Sequence, residues 1–144
     1  MEENRKKILV VEDEKFARDI LNFTLSSEDY DISLAEDGLE ALNKASSNNY
    51  DLIIMDVMMP NIDGYEACRR LKADEITKSI PIILLTGRAQ KGDILKGVQA
   101  GADDYLLKPY KLQDLLNRVN KYIGPGTSVS LAQASNNSEP AIAE

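Results

Sequence analysis

LIIMDVMMP, residues 52–60, is the most apolar run in the chain, and it carries a carboxylate, Asp56, at its centre. Leu52 to Met55 are apolar without interruption rather than alternately, the pattern of a strand covered on both faces. A charge in such surroundings is costly unless something compensates it. What compensates Asp56 is therefore the first question the sequence poses.

Working outward, similar runs recur at regular intervals: ILVV at 8–11, DISLA at 31–35, PIILLT at 81–86 and DYLL at 104–107. Helical patterns lie between them. Phe16, Ile20, Leu21 and Leu25 recur at helical spacing, Leu39, Leu42 and Ala45 share a face, and Leu112, Leu115, Leu116, Val119 and Ile123 form an amphipathic stripe. Asp37-Gly38 and Asp63-Gly64 mark two helix starts, and Gly101 stands where a fourth helix should stop. Strand alternating with helix five times predicts a doubly wound α/β domain with a parallel sheet. Ligands of such sheets bind at the carboxyl ends of the strands, near the point where strand order reverses.

The 144 residues fit one domain with one core, expected over residues 1–124. The remainder, PGTSVSLAQASNNSEPAIAE at 125–144, has few large apolar residues and no periodicity, and reads as a flexible low-complexity tail. No apolar run approaches the ~18 residues that span a bilayer, and the polar start MEENRKK lacks the apolar core of a secretory signal. A cytoplasmic protein is expected. Cys68 is the only cysteine and histidine is absent, which excludes an internal disulfide, thiolate clusters and imidazole chemistry on this chain. The net charge of -7 disfavours nucleic-acid phosphates and anionic membranes, so the predicted partners are proteins or cations.

The strand ends carry the chemistry. Glu12-Asp13, Asp56, Thr86 and Lys108-Pro109 would bring three carboxylates, a hydroxyl and an ammonium to one edge of a parallel sheet. Carboxylates packed that closely raise one another's pKa unless a cation joins them. An all-oxygen cluster suits a hard ion, Mg²⁺ above all, with Lys108 as the second countercharge. A carboxylate in that company can accept a phosphoryl group, because its neighbours neutralise the transferring oxygens. Taken singly, each residue has a plainer reading. Asp13 could cap the first helix, Asp63 serves a turn or cap better than a ligand set, Tyr105 could be core, and Met55, Met58 and Met59 could fill packing gaps. Their joint occurrence at successive strand ends favours the site.

VVEDE at 10–14, DVMMPNIDGYE at 56–66, LLTG at 84–87 and DDYLLKPY at 103–110 resemble, in order and spacing over residues 7–123, the receiver domain of two-component response regulators. The resemblance implies a flavodoxin-like five-stranded sheet of order 2-1-3-4-5. It makes Asp56 the phosphoacceptor, taking its phosphoryl group from a phosphohistidine on a sensor kinase or phosphotransfer protein. Glu12, Asp13, Asp56 and the backbone carbonyl of Met58 match the Mg²⁺ ligands. Thr86 matches the switch hydroxyl, and Lys108 the lysine that pairs with the phosphoryl group, its bond to Pro109 expected cis. Tyr105 matches the aromatic switch that reshapes the surface of the fourth helix, fifth strand and fifth helix, where a downstream protein would bind.

Met58 and Arg88 would flank the path of the hydrolytic water, which predicts slow self-dephosphorylation. Two departures are visible: the acidic pair is Glu-Asp rather than Asp-Asp, and Tyr110 stands where phenylalanine is common. The expected protein is a stand-alone switch, monomeric or weakly dimeric, of chemotaxis or phosphorelay type. It is no enzyme beyond catalysing its own phosphorylation. A haloacid-dehalogenase-type phosphatase would need an aspartate where Met58 stands, and a nucleotide-binding module a glycine-rich loop where EDEKF stands. A receiver-like module that has lost phosphorylation is disfavoured by the intact set of site residues.

Overall fold

The computed structural model describes residues 4–87 and 91–126, excepting the side chain of Lys91. Five strands and five helices alternate: β1 (Lys7–Val11), α1 (Lys15–Ser27), β2 (Asp31–Ala35), α2 (Gly38–Ser47), β3 (Leu52–Asp56), α3 (Gly64–Ala73), β4 (Ile82–Thr86), α4 (Lys91–Ala100), β5 (Asp104–Leu107) and α5 (Leu112–Ile123). The strands form one parallel sheet, as the alternation predicts, in the order β2-β1-β3-β4-β5 that the resemblance implies.

Alternation within each strand divides the core. Leu9, Val11, Ile53, Met55, Ile82 and Leu84 face the small residues Ala41, Ala45, Ala67, Cys68 and Ala100 of α2, α3 and α4. Ile8, Val10, Ile54, Ile83 and Leu85 face Leu21 and Leu25 of α1 and Leu115 and Val119 of α5. Every residue of β3 and of β4 is buried, which explains why Leu52–Met55 and Ile82–Leu85 are apolar without interruption up to Asp56 and Thr86 at the strand ends. Cys68 is one of these packing residues, its thiol pushed up to about 11 by burial.

Asp37 and Asp63 cap α2 and α3, each carboxylate accepting the amide of the residue three positions on, Glu40 and Glu66. Gly101 ends α4 with φ +90°, a conformation that favours glycine. One alternative reading falls away and two helix faces differ from the periodicity. The cap of α1 is Glu14, which accepts from the Ala17 amide, and not Asp13. On α1 the buried residues are Leu21 and Leu25, while Phe16 is 71% and Phe23 75% exposed, so only a narrow stripe of the helix is covered. On α2, Leu39 is exposed and Ala41 is buried in its place, while Gly38 lies so close to the Ile62 carbonyl that a Cβ would meet it at 2.7 Å.

The fold extends slightly past α5. Gly126 is buried and its carbonyl accepts from the Lys6 amide, while the Tyr30 hydroxyl donates to the Gly124 carbonyl at 2.6 Å. Residues 127–144, most of the expected tail, lie outside the described residues. No helix among the described residues is long and apolar enough to cross a membrane.

Candidate phosphoryl-acceptor site

The reversal of strand order falls between β1 and β3: the chain runs from β1 to β2 at one edge and then crosses back to β3 on the other side of β1. Glu12 and Asp13 follow β1, and Asp56 is the last residue of β3. One carboxylate oxygen from each of Glu12, Asp13 and Asp56 lies within 4.8 Å of the other two, a group that could hold a metal ion. Glu12 and Asp56 are buried, at 2% and 4% exposure, whereas Asp13 is exposed at the rim.

Lys108, just after β5, reaches into this group. Its Nζ is 2.6 Å from Asp56 Oδ1 and 3.6 Å from Glu12 Oε1. The Lys108 amide donates to the Thr86 carbonyl at 2.7 Å, which fixes the lysine against the end of β4, and the Lys108–Pro109 peptide is cis as expected. Thr86 is itself buried at the end of β4, beside the site. Tyr105 is half-buried on β5 and lines a cleft with Thr86. Met58 stands 54% exposed in the loop after β3, its backbone close enough to the Asp56 carboxylate to favour the charged form. Arg88 lies outside the described residues.

The electrostatics show one cation too few. Burial raises the pKa of Asp56 above its ordinary 3.8, against the pull of Lys108. Burial first and Asp56 second raise Glu12 above 4.5. Burial would lower Lys108, but its contact with Asp56 and the charge of Glu12 outweigh that, and its pKa is raised. Glu12 Oε1 is fully buried and has no hydrogen-bond partner among the described residues. A buried oxygen left this way, in an all-carboxylate group, fits a hard cation such as Mg²⁺.

Two contributors were not visible in the sequence. Arg18, on α1, donates through Nη1 to the carbonyls of Glu12 at 2.9 Å and Asp13 at 3.3 Å, and so fixes the acidic loop. An arginine inside an amphipathic helix carries no signal of that task. Gly64 opens α3, and a Cβ there would meet the Asp56 carbonyl at 2.5 Å and Val57 Cα at 2.8 Å. As half of Asp63-Gly64 it reads only as punctuation. In the structure it is the point where α3 presses against the backbone of the acceptor strand.

A protein-family model described as the response regulator receiver domain matches residues 8–120. Among curated proteins, response regulator ArlR of Staphylococcus saprophyticus is 42% identical over 113 residues, which cover 78% of this chain and 50% of that protein. Response regulator MprA of Mycobacterium avium is 43% identical over 113 residues, 78% of this chain and 49% of its own. The chain thus spans about half the length of the curated relatives it matches.

Among solved structures, the receiver domain of sensor histidine kinase PA1611 from Pseudomonas aeruginosa, with a magnesium ion coordinated in its active-site cleft, superposes with a TM-score of 0.78 at 38% identity. That match covers 83% of this chain and 98% of the other. Chemotaxis protein CheY4 of Vibrio cholerae gives 0.78 at 32% identity, over 82% and 98%. The fold and the site define a receiver module of two-component signalling, and the chain belongs to the response regulator receiver domain family.

Proposed function

We propose that the chain is an Mg²⁺-dependent phosphoryl-accepting switch with Asp56 as the acceptor. The observation that carries this reading is the convergence of Glu12, Asp13 and Asp56 within 4.8 Å, with the Lys108 ammonium 2.6 Å from Asp56. Glu12, Asp13, Asp56 and the Met58 carbonyl are the groups that would hold Mg²⁺. When bound, the ion supplies positive charge against which the phosphoryl oxygens are neutralised.

The chain's own residues do the rest. Asp56, on a strand buried along its whole length, is a nucleophile on a rigid mount. One of its oxygens attacks phosphorus. The bond from phosphorus to the donor's imidazole nitrogen breaks, and that nitrogen keeps the electron pair and takes a proton from solvent. Asp56 is left as an acyl phosphate. Lys108 then pairs with a phosphoryl oxygen, and Thr86 turns its hydroxyl toward another.

The partner that supplies the phosphoryl group is a phosphohistidine-bearing kinase or phosphotransfer protein. Phe16, Ile20 and Phe23 fall on one exposed face of α1, which begins two residues after Asp13. An apolar face at the rim of the acceptor site is suited to docking such a protein. Output follows from Thr86 through Tyr105 to the surface of α4, β5 and α5, where Leu95, Val98, Leu107 and Leu112 are exposed. Binding of a target peptide on that surface marks a motility-type output, and transfer from phosphorylated Asp56 to a histidine protein marks a phosphorelay. The cytoplasm, as the compartment of such kinases, is part of the same reading.

The test is chemical. Protein treated with acetyl phosphate and Mg²⁺ should carry a phosphoryl group that hydroxylamine removes, as it does from an acyl phosphate. A hydroxylamine-stable modification would place the phosphoryl group on a hydroxyl and refute the reading.

A further inference from the structure

The cleft beside Thr86 is very small, about 10 Å³, room for little more than one water, and partly open. Leu84 and Thr86 border it from β4, Tyr105 from β5, Ile94 and Gly97 from α4, and Tyr65 from α3. It is below the size of a cofactor pocket but adjoins an aromatic ring that can turn into it.

Tyr65 and Gly97 are the two lining residues that bear on α4. The Tyr65 hydroxyl donates to the Asp93 carbonyl at 3.1 Å, tying the second residue of α3 to the first turn of α4. Lys96 of α4 lies 6.0 Å from the centroid of the same ring. Gly97 sits in the middle of α4, where glycine weakens a helix. A Cβ there would meet Leu84 Cδ1 and Tyr65 Cε1 at 3.8 Å each, an ordinary contact. The resting packing therefore does not require glycine, and the room that it leaves opens on the cleft.

We infer that Tyr65 and Gly97 set the balance of the switch, Tyr65 by holding α4 to α3 through Asp93, Gly97 by keeping space for the incoming Tyr105 ring. This rests on the roles proposed above for Thr86 and Tyr105. When Tyr105 turns inward it occupies the space beside Gly97 and presses on α4. The Tyr65–Asp93 bond belongs to the resting arrangement and opposes that movement; Gly97 permits it. Both are positioning residues, since neither touches the phosphoryl group.

Beryllofluoride with Mg²⁺, a mimic of the bound phosphoryl group, tests this on the full chain, with tyrosine-ring resonances reporting Tyr105. Tyr65→Phe keeps the ring and loses the hydroxyl, and should bind beryllofluoride about 2- to 10-fold more tightly than wild type. Gly97→Ala should melt at a higher temperature yet bind about 5-fold or more weakly, because its methyl fills the cleft. A merely structural role for the two residues would move melting temperatures and leave the affinities equal to wild type. Equal or weaker binding by Tyr65→Phe, or unchanged binding by Gly97→Ala, overturns the inference while the acceptor role of Asp56 stands. Wild type that fails to bind beryllofluoride, or Asp56→Asn that binds it equally, overturns both.

Discussion

Lys108 Nζ stands 2.6 Å from Asp56 Oδ1 and 3.6 Å from Glu12 Oε1, so a single ammonium serves two buried carboxylates. With Asp13 at the rim the group holds three negative charges to one positive, and that imbalance organises the behaviour of the site. Lys108→Ala should slow phosphorylation by acetyl phosphate about 10-fold or more, since a preorganised donor to the transferring oxygens is lost. The Lys108 side chain is 35% exposed, so the stability cost is well below that of a sealed ion pair, about 1 kcal/mol. Denaturant unfolding and a phosphorylation time course measure the two effects. An unaltered time course would remove Lys108 from the mechanism.

The raised carboxyls give a pH dependence with a definite sign. In the folded, metal-free protein Asp56 and Glu12 hold their protons to higher pH than their ordinary 3.8 and 4.5. The folded state then binds more protons than the unfolded one, so this contribution to stability is complete below those values and is lost as pH rises through the raised ones. Metal-free protein should lose stability from about pH 4 toward neutrality on this account, and Asp56→Asn should flatten the loss. Mg²⁺ should restore stability to wild type at neutral pH as its concentration passes its Kd, and much less to Asp56→Asn. Melting temperatures across pH, with Mg²⁺ or a chelator, test the set.

Gly64 is the position least tolerant of a methyl group. Its Cβ would lie 2.5 Å from the Asp56 carbonyl and 2.8 Å from Val57 Cα, both backbone atoms of the acceptor strand and its continuation. Gly64→Ala should therefore cost about 2 kcal/mol or more despite the better helix propensity of alanine, and should weaken Mg²⁺ binding by displacing Asp56. A variant with wild-type stability and Mg²⁺ affinity would show that α3 can move away from the strand freely.

Asp13 and Glu14 divide two tasks that the sequence leaves together. Glu14 caps α1 through the Ala17 amide at 2.8 Å, whereas Asp13 joins the acidic group. Glu14→Ala should cost about 1 kcal/mol and leave phosphorylation nearly unchanged. Asp13→Ala should cost little stability without metal and should sharply reduce Mg²⁺ affinity and Mg²⁺-dependent phosphorylation. The reverse pattern, read by calorimetric Mg²⁺ titration and unfolding, would contradict this division.

What the sequence revealed follows from the range of the forces involved. The continuous apolar runs at Leu52–Met55 and Ile82–Leu85 are legible because burial on two faces leaves no polar position, and these runs place Asp56 and Thr86 at strand ends. Asp37 and Asp63 are legible as caps because a cap and its amide lie three residues apart. Contacts across the fold leave no such trace. Arg18 reaches back to the carbonyls of Glu12 and Asp13, and Gly64 packs on Asp56, through positions that local pattern reads as helix surface and helix start. Phe16 and Ile20 fail for a related reason: an apolar residue on a helix is assigned to the core by periodicity alone, although a face presented to a partner looks the same.

The central claim is that Asp56 alone accepts the phosphoryl group, in the presence of Mg²⁺. Incubation of wild type and Asp56→Asn with acetyl phosphate, with Mg²⁺ and with a chelator, followed by intact mass, measures this directly. Wild type should gain the mass of one phosphoryl group only with Mg²⁺, and Asp56→Asn should gain none. Wild type that gains nothing, or Asp56→Asn that gains as much, would contradict the account.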